Sequence, residues 1–330
     1  MTGEQTFELV VGPEFGGMRL DKWLPKAVPA MSRTRMQKLI RAGCVFDDDG
    51  EVVADANIAI REGEVYSVIV PAAKSEEPAR PENIPVEILY EDDDLVIVDK
   101  PAGMVVHKGA GVDTGTLVNA LLHHTGGRLS SVGMSAGRPG IVHRIDKNTS
   151  GAMLVCKTDA AHRAMYKKFE NHEIKRQYLA LAWGIISPAS GTIDAPIARN
   201  RKDRTRMCVA MGGKPAITHY ETVRVFTGPK RKPLSLLRLN LETGRTHQIR
   251  VHLAHIGNPI LGDTSYGNMG RHLQQVEDRA AKAIFSGAGR QMLHSFEIEF
   301  AHPSSGEKIR CITKMPKDME HIIKALECKT

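Results

Sequence analysis

Between residues 71 and 85 the chain reads PAAKSEEPARPENIP, with four prolines interleaved with charges and no apolar periodicity. Proline cannot donate to a hydrogen-bond ladder, and a segment without an apolar stripe has nothing to bury. The 330 residues are therefore expected to fold as two units, each long enough for its own core. The expected division is a small module over 16–70, an extended linker over 71–85 and a larger domain over 86–328.

In the small module, Leu20, Trp23, Leu24 and Ala27 fall at i, i+3, i+4 and i+7, one apolar face of a helix. Ser32 is placed to cap a second helix carrying Met36, Leu39 and Ile40, which Gly43 ends. Short β-like pieces follow at 45–46 and 64–71. Residues 1–85 hold 10 Lys/Arg against 14 Asp/Glu, yet residues 16–45 hold seven basic side chains against the single Asp21. A local basic face on a net-acidic module suits a polyanion, although a solvated helix gives the same count. Arg19, Arg33, Arg35, Lys38 and Arg41 are its candidate nucleic-acid contacts.

Residues 86–330 carry 35 basic and 24 acidic residues. Strands are expected at 86–92, 95–101, 176–183, 216–226, 234–242, 292–301 and 307–313. Helices are expected at 117–124, after Thr158, and at 246–256, 272–285 and 317–328. Strands and helices interleave without a βαβ period, so the fold class expected is α+β with a mixed sheet. Neither GxGxxG nor GxxxxGK[ST] occurs, which removes the usual nucleotide-cofactor signatures, and no cofactor is expected. His247, His252 and His255 share a helix, but their spacing spreads the rings around it and no metal site is expected. Five widely spaced cysteines imply reduced thiols in a cytoplasm. No apolar run could span a bilayer, so no membrane partner is expected, and a monomer is the default expectation.

Residues 143–151, HRIDKNTSG, enclose one carboxylate, Asp146, in a polar turn between the apolar flanks 140–142 and 152–155. A strand that breaks around a carboxylate and resumes would present it on a rigid frame. Asp in such a turn more often accepts backbone N–H groups, so the tetrapeptide alone does not establish a nucleophile. Taken singly, Tyr178 reads as a half-buried strand residue and Arg250 as a surface or ion-pair residue.

The four segments HRIDKNTSG, DKPAGMVVH (99–107), KRQYLALAWG (175–184) and ETGRTHQIRVHLAHIGNPILGD (242–263) together resemble, in order, the RluA family of pseudouridine synthases. Ile145 stands where the family usually has leucine. Residues 191–220 look most like the RluD-like branch, and the first module resembles an S-four-type RNA-binding domain. Asp47, Asp48 and Asp49 depart from that domain's usual turn, so no RNA contact is expected there.

The resemblance implies a mixed-sheet catalytic domain that isomerises specific uridines in large-subunit (23S) ribosomal RNA, free or in a pre-ribosomal particle. Asp146 would be the nucleophile, Arg250 its ionic partner, and Tyr178 a base-stacking residue with a hydroxyl for proton transfer. Arg144 would fill the space left by the extruded base. The run Arg199, Arg201, Lys202, Arg204 and Arg206 would follow the phosphate backbone, or else be a solvated loop. Two other readings remain: a catalytically inactive RNA-binding ribosome-assembly factor, and a base-releasing N-glycosidase, for which no second carboxylate stands out.

Overall fold

The computed structural model describes residues 5–29, 31–71, 78–109, 111–134 and 137–327. The chain separates into two compact units between residues 76 and 77. Residues 72–77 of the expected linker lie outside the described residues.

The first unit contains β1 (Gln5–Val10), α1 (Leu20–Ala27), α2 (Arg33–Arg41), β2 (Val45–Phe46) and β3 (Val65–Val70). Its three strands pair antiparallel in the order β1-β3-β2. Leu20, Trp23, Leu24, Met36, Leu39 and Ile40 pack with Val45, Tyr66 and Val68, as the helical spacing requires. The Ser32 side chain accepts from Arg35 N–H, and Gly43 takes φ +69°, the left-handed turn that ends α2. The sheet reaches further toward the N-terminus than the expected start at residue 16. β1 joins β3 over the whole register from Gln5–Val70 to Val10–Val65, though only Phe7 and Leu9 of it pack against the core.

The second unit is built from β4 (Glu87–Glu91), β5 (Leu95–Lys100), α3 (Leu117–His124), β6 (Ser150–Cys156), α4 (Asp159–Glu170), β7 (Lys175–Trp183), β8 (Ser190–Asp194), β9 (Ile197–Arg199) and β10 (Met207–Val209). It continues with β11 (Ile217–Phe226), β12 (Leu234–Leu241), α5 (Gln248–His255), α6 (Met269–Gln274), α7 (Arg279–Ser286), β13 (Leu293–Ala301), β14 (Lys308–Ile312) and α8 (Lys317–Glu327). Eight strands form one mixed sheet in the order β4-β5-β6-β13-β7-β12-β11-β8, with β14 added on β13, while β9 and β10 form a separate hairpin. The parallel pair β6–β13 is held by two residue pairs, Ser150–His294 and Gly151–Ser295. A Cβ on Gly151 would lie 2.1 Å from the Ser295 carbonyl oxygen, so the close approach of these strands requires glycine. The domain is thus the expected mixed-sheet α+β fold.

Two expectations are corrected. The residues before Asp146 form no strand. Past Gly151 the free edge of β6 is taken by irregular backbone and a side chain: Cys156 N–H donates to Gly140 O, and Leu154 N–H to His143 Nε2. The single helix expected over 272–285 is two, α6 and α7, because Asp278 caps α7 by accepting from Ala280 and Ala281 N–H.

Candidate active site

Asp146 sits in the turn that leads into β6, and the turn is pinned from beneath. Lys100, at the end of β5, is fully buried, and its Nζ donates to Pro101 O (2.8 Å), Met104 O (2.9 Å) and Lys147 O (3.1 Å). Burial pushes this ammonium down to about 7, against the attraction of Asp146. Arg290 holds the next residue, donating from Nη1 to Asn148 O at 3.0 Å while its fork binds Asp318. Thr149 N–H closes the turn onto Asp146 O at 3.1 Å. The turn is a rigid mount for one carboxylate.

Arg250, on α5, comes to that carboxylate from the other side of the sheet's parallel seam. Its Nη1 donates to Asp146 Oδ2 at 2.9 Å. Its Nε and Nη2 bind the two oxygens of fully buried Asp263 at 2.7 and 2.9 Å, a bidentate pair that fixes the guanidinium plane. Burial works against the Arg250 charge, but the hydrogen bonds and charges of Asp263 and then Asp146 outweigh it and raise its pKa. Tyr178, on β7, is 5% exposed and lines the same cavity, and burial raises its phenol above the ordinary range. Arg144 is exposed at the rim.

The cavity that these four residues share measures about 630 Å³, within the ~300–1,000 Å³ of small-ligand sites. Five arginines line it against three carboxylates, an excess that suits a polyanion.

Sequence reasoning passed over several residues that build this site. Lys100 and Asp263 lie inside the quoted segments, but their burial under the turn and behind Arg250 has no local signature. His247, weighed only as a metal ligand, precedes α5 in the left-handed conformation (φ 56°). Its Nε2 stands 3.8 Å from Asp146 Oδ1, and its Nδ1 meets Tyr266 Oη at 2.8 Å. His252 is instead fully buried against Thr218 Oγ1 and Ala195 O. Among the described residues no group of three or more His, Cys, Asp or Glu could hold a metal ion.

The basic residues of the β9–β10 hairpin do not line this cavity. Arg199, Arg201, Lys202 and Arg204 are exposed on the β9–β10 hairpin, Arg199 donating to Arg204 O at 2.8 Å. Arg206 is half-buried, 5.3 Å above the Tyr266 ring. In the first unit Arg19 and Arg33 both bind buried Asp21, at 3.1 and 2.7 Å, so part of their charge is already matched. Arg35, Lys38 and Arg41 are exposed on α2.

Residues 94–255 match the family described as RNA pseudouridylate synthase. The chain is 41% identical over 326 residues to ribosomal large subunit pseudouridine synthase D of Zymomonas mobilis, covering 97% of this chain and 98% of that protein. It is also 41% identical over 323 residues to the protein of that name from Nitrosomonas europaea, covering 98% and 88%. The solved structure of human RNA pseudouridylate synthase domain containing 1 superposes with a TM-score of 0.52 at 26% identity, covering 74% of this chain and 96% of that one. With nearly the whole length matched to such relatives, the chain belongs to the pseudouridine synthase family of RNA-modifying enzymes.

Proposed function

We propose that this enzyme converts specific uridines of large-subunit ribosomal RNA to pseudouridine, with Asp146 as its nucleophile. The observation that carries the reading is the 2.9 Å pair between Asp146 and an Arg250 locked by Asp263, in an open cavity that also holds Tyr178. The ribosomal target rests on the names of the relatives.

The isomerisation breaks the bond from the uracil nitrogen to the ribose and forms a carbon–carbon bond to the same ribose carbon. The ring carbon gives up a proton, the nitrogen gains one, and no net oxidation occurs. An ionised carboxylate held against a fixed cation can act covalently and divide this exchange into easier steps. Tyr178 offers a ring for the uracil to stack on and, being protonated, a hydroxyl that can donate. Arg144, at the rim, would occupy the gap left when the nucleotide leaves its stack, a step costing about a few kcal/mol. Exposed Arg35, Lys38 and Arg41 on the first unit, acting as an S-four-type RNA-binding module, and the β9–β10 hairpin would bind phosphates.

The test is mass spectrometry of large-subunit ribosomal RNA, chemically tagged at pseudouridine, from cells lacking the protein. One or a few clustered positions should lose the tag, with restoration by wild type and not by Asp146→Asn. In vitro, Asp146→Asn should abolish product while binding RNA within about twofold of wild type. Normal turnover by that variant would remove Asp146 from the mechanism. An unchanged tag pattern would remove the ribosomal target.

A further inference from the structure

Among the described residues Arg176 is a buried cation with no carboxylate at ion-pair distance. It is 7% exposed, and its Nε is buried with no hydrogen-bond partner. Nη2 donates only to two backbone carbonyls, Glu242 O at 3.2 Å and Leu241 O at 3.5 Å. Its guanidinium carbon lies 5.3 Å from the centre of the Phe169 ring, which stacks on His143 at 4.8 Å. Among the described residues no ion pair joins it to a carboxylate, and the ionisable side chains it acts on are Tyr178 and His143. Every other strongly buried arginine of the second unit has a carboxylate: Arg250 has Asp146 and Asp263, Arg290 has Asp318, and Arg231 has Asp278.

An uncompensated charge removed from water costs folding free energy, and a fold retains it where a ligand supplies the missing partner. The position favours such a ligand. Arg176 lines the catalytic cavity, and it stands two residues before Tyr178 on β7, so both side chains leave the same face of the strand, about 7 Å apart along it. Nη1 lies over Gly244, where a Cβ would come within 2.8 Å of it, so the bare backbone there leaves the guanidinium its place beside the cavity. The anion available to a family that acts on RNA is a phosphodiester.

Resting on the substrate reading above, we propose that Arg176 is a phosphate-binding residue of the active site, pairing with a phosphate that flanks the extruded uridine. Tyr178 holds the base and Arg176 the backbone beside it. The substrate completes the ion pair that the free protein lacks.

The experiment compares wild type, Arg176→Met and Arg176→Lys on an oligonucleotide cut from the ribosomal target, under single turnover with enzyme in excess. A second oligonucleotide carries an uncharged methylphosphonate in place of each phosphate next to the uridine in turn. A charge-assisted contact predicts that Arg176→Met raises the half-saturating concentration about 10- to 100-fold, with Arg176→Lys in between. The slope of log affinity against log salt should fall by about one. One methylphosphonate should weaken wild type and leave Arg176→Met unaffected.

Without RNA, Arg176→Met should unfold at the same or a higher temperature than wild type, because the unpaired charge is gone. A Tm several degrees lower with normal RNA affinity would make Arg176 a structural cation and overturn the proposal. Weaker binding with an unchanged salt slope would overturn the phosphate assignment. The two readings fail separately. If wild type does not isomerise the oligonucleotide, the ribosomal substrate is wrong; if it does and Arg176→Met binds normally, only the Arg176 proposal is lost.

Discussion

At the scale of single residues the site is an alternation of charge: Asp263, Arg250, Asp146. Asp263 is fully buried and Arg250 nearly so, so neither can lose its partner cheaply, whereas Asp146 keeps 19% of its side chain exposed toward the cavity. Arg250→Lys replaces a planar fork by a point charge that cannot serve both carboxylates in the same geometry. Activity should fall at least about 100-fold, and stability by about 3 kcal/mol as Asp263 is left poorly paired, which a single-turnover assay and urea unfolding would measure together. The sequence made Asp146, Tyr178 and Arg250 legible because each sits in a distinctive ordered segment. It hid Lys100 and Arg290, whose work is done on backbone carbonyls of the Asp146 turn, since carbonyl oxygens look the same at every position.

At the scale of elements, periodicity revealed what one face of burial decides. The apolar stripes of α1 and α2 stood out for that reason, whereas β5, β7, β12 and β13, buried largely on both faces, stood out as short apolar runs. Elements were misjudged where hydrogen bonding outranked burial. The backbone before Asp146 looked apolar enough for a strand, but it gives and takes its bonds along an edge of β6 shared with His143. β1 was missed because an edge strand with two packed apolar residues alternates too faintly. β13 shows what such elements cost in acid. His294 is 1% exposed, bonded to Ser150 Oγ at 2.9 Å and Thr313 Oγ1 at 2.7 Å, and burial, then the Arg290 charge, lowers it from 6.5 to about 4. The unfolded chain therefore takes up a proton at this residue before the folded one does. Stability should fall as pH drops from 6.5 to 4, by up to about 3 kcal/mol from this group. His143, lowered to about 3, acts in the same direction. His294→Asn should flatten part of that fall, read as the urea midpoint across the pH range, and an unchanged slope would assign it to other groups.

At the scale of the whole molecule, each unit has its own core, which predicts that residues 78–330 alone fold and keep a single cooperative unfolding transition. With the first unit removed, RNA should bind at least about tenfold more weakly while turnover at saturating RNA stays within about threefold of the full chain, since no residue proposed for chemistry lies before residue 100. Calorimetry and single-turnover titration would show both. Equal affinity would remove the first unit from RNA binding. Within the larger unit, the two residue pairs between β6 and β13 join two sub-sheets, one formed early in the chain and one late. Asp146 is carried at the edge of the first and Tyr178 and Arg250 by the second. A chain that ends after α5 contains every one of these side chains but lacks β13. The strand that sits between β6 and β7 is then absent, and Asp146 and Arg250 have no frame to bring them together. The last strands of the chain are thus the ones on which the geometry of the site depends, and a chain cut before β13 should show no turnover in a single-turnover assay.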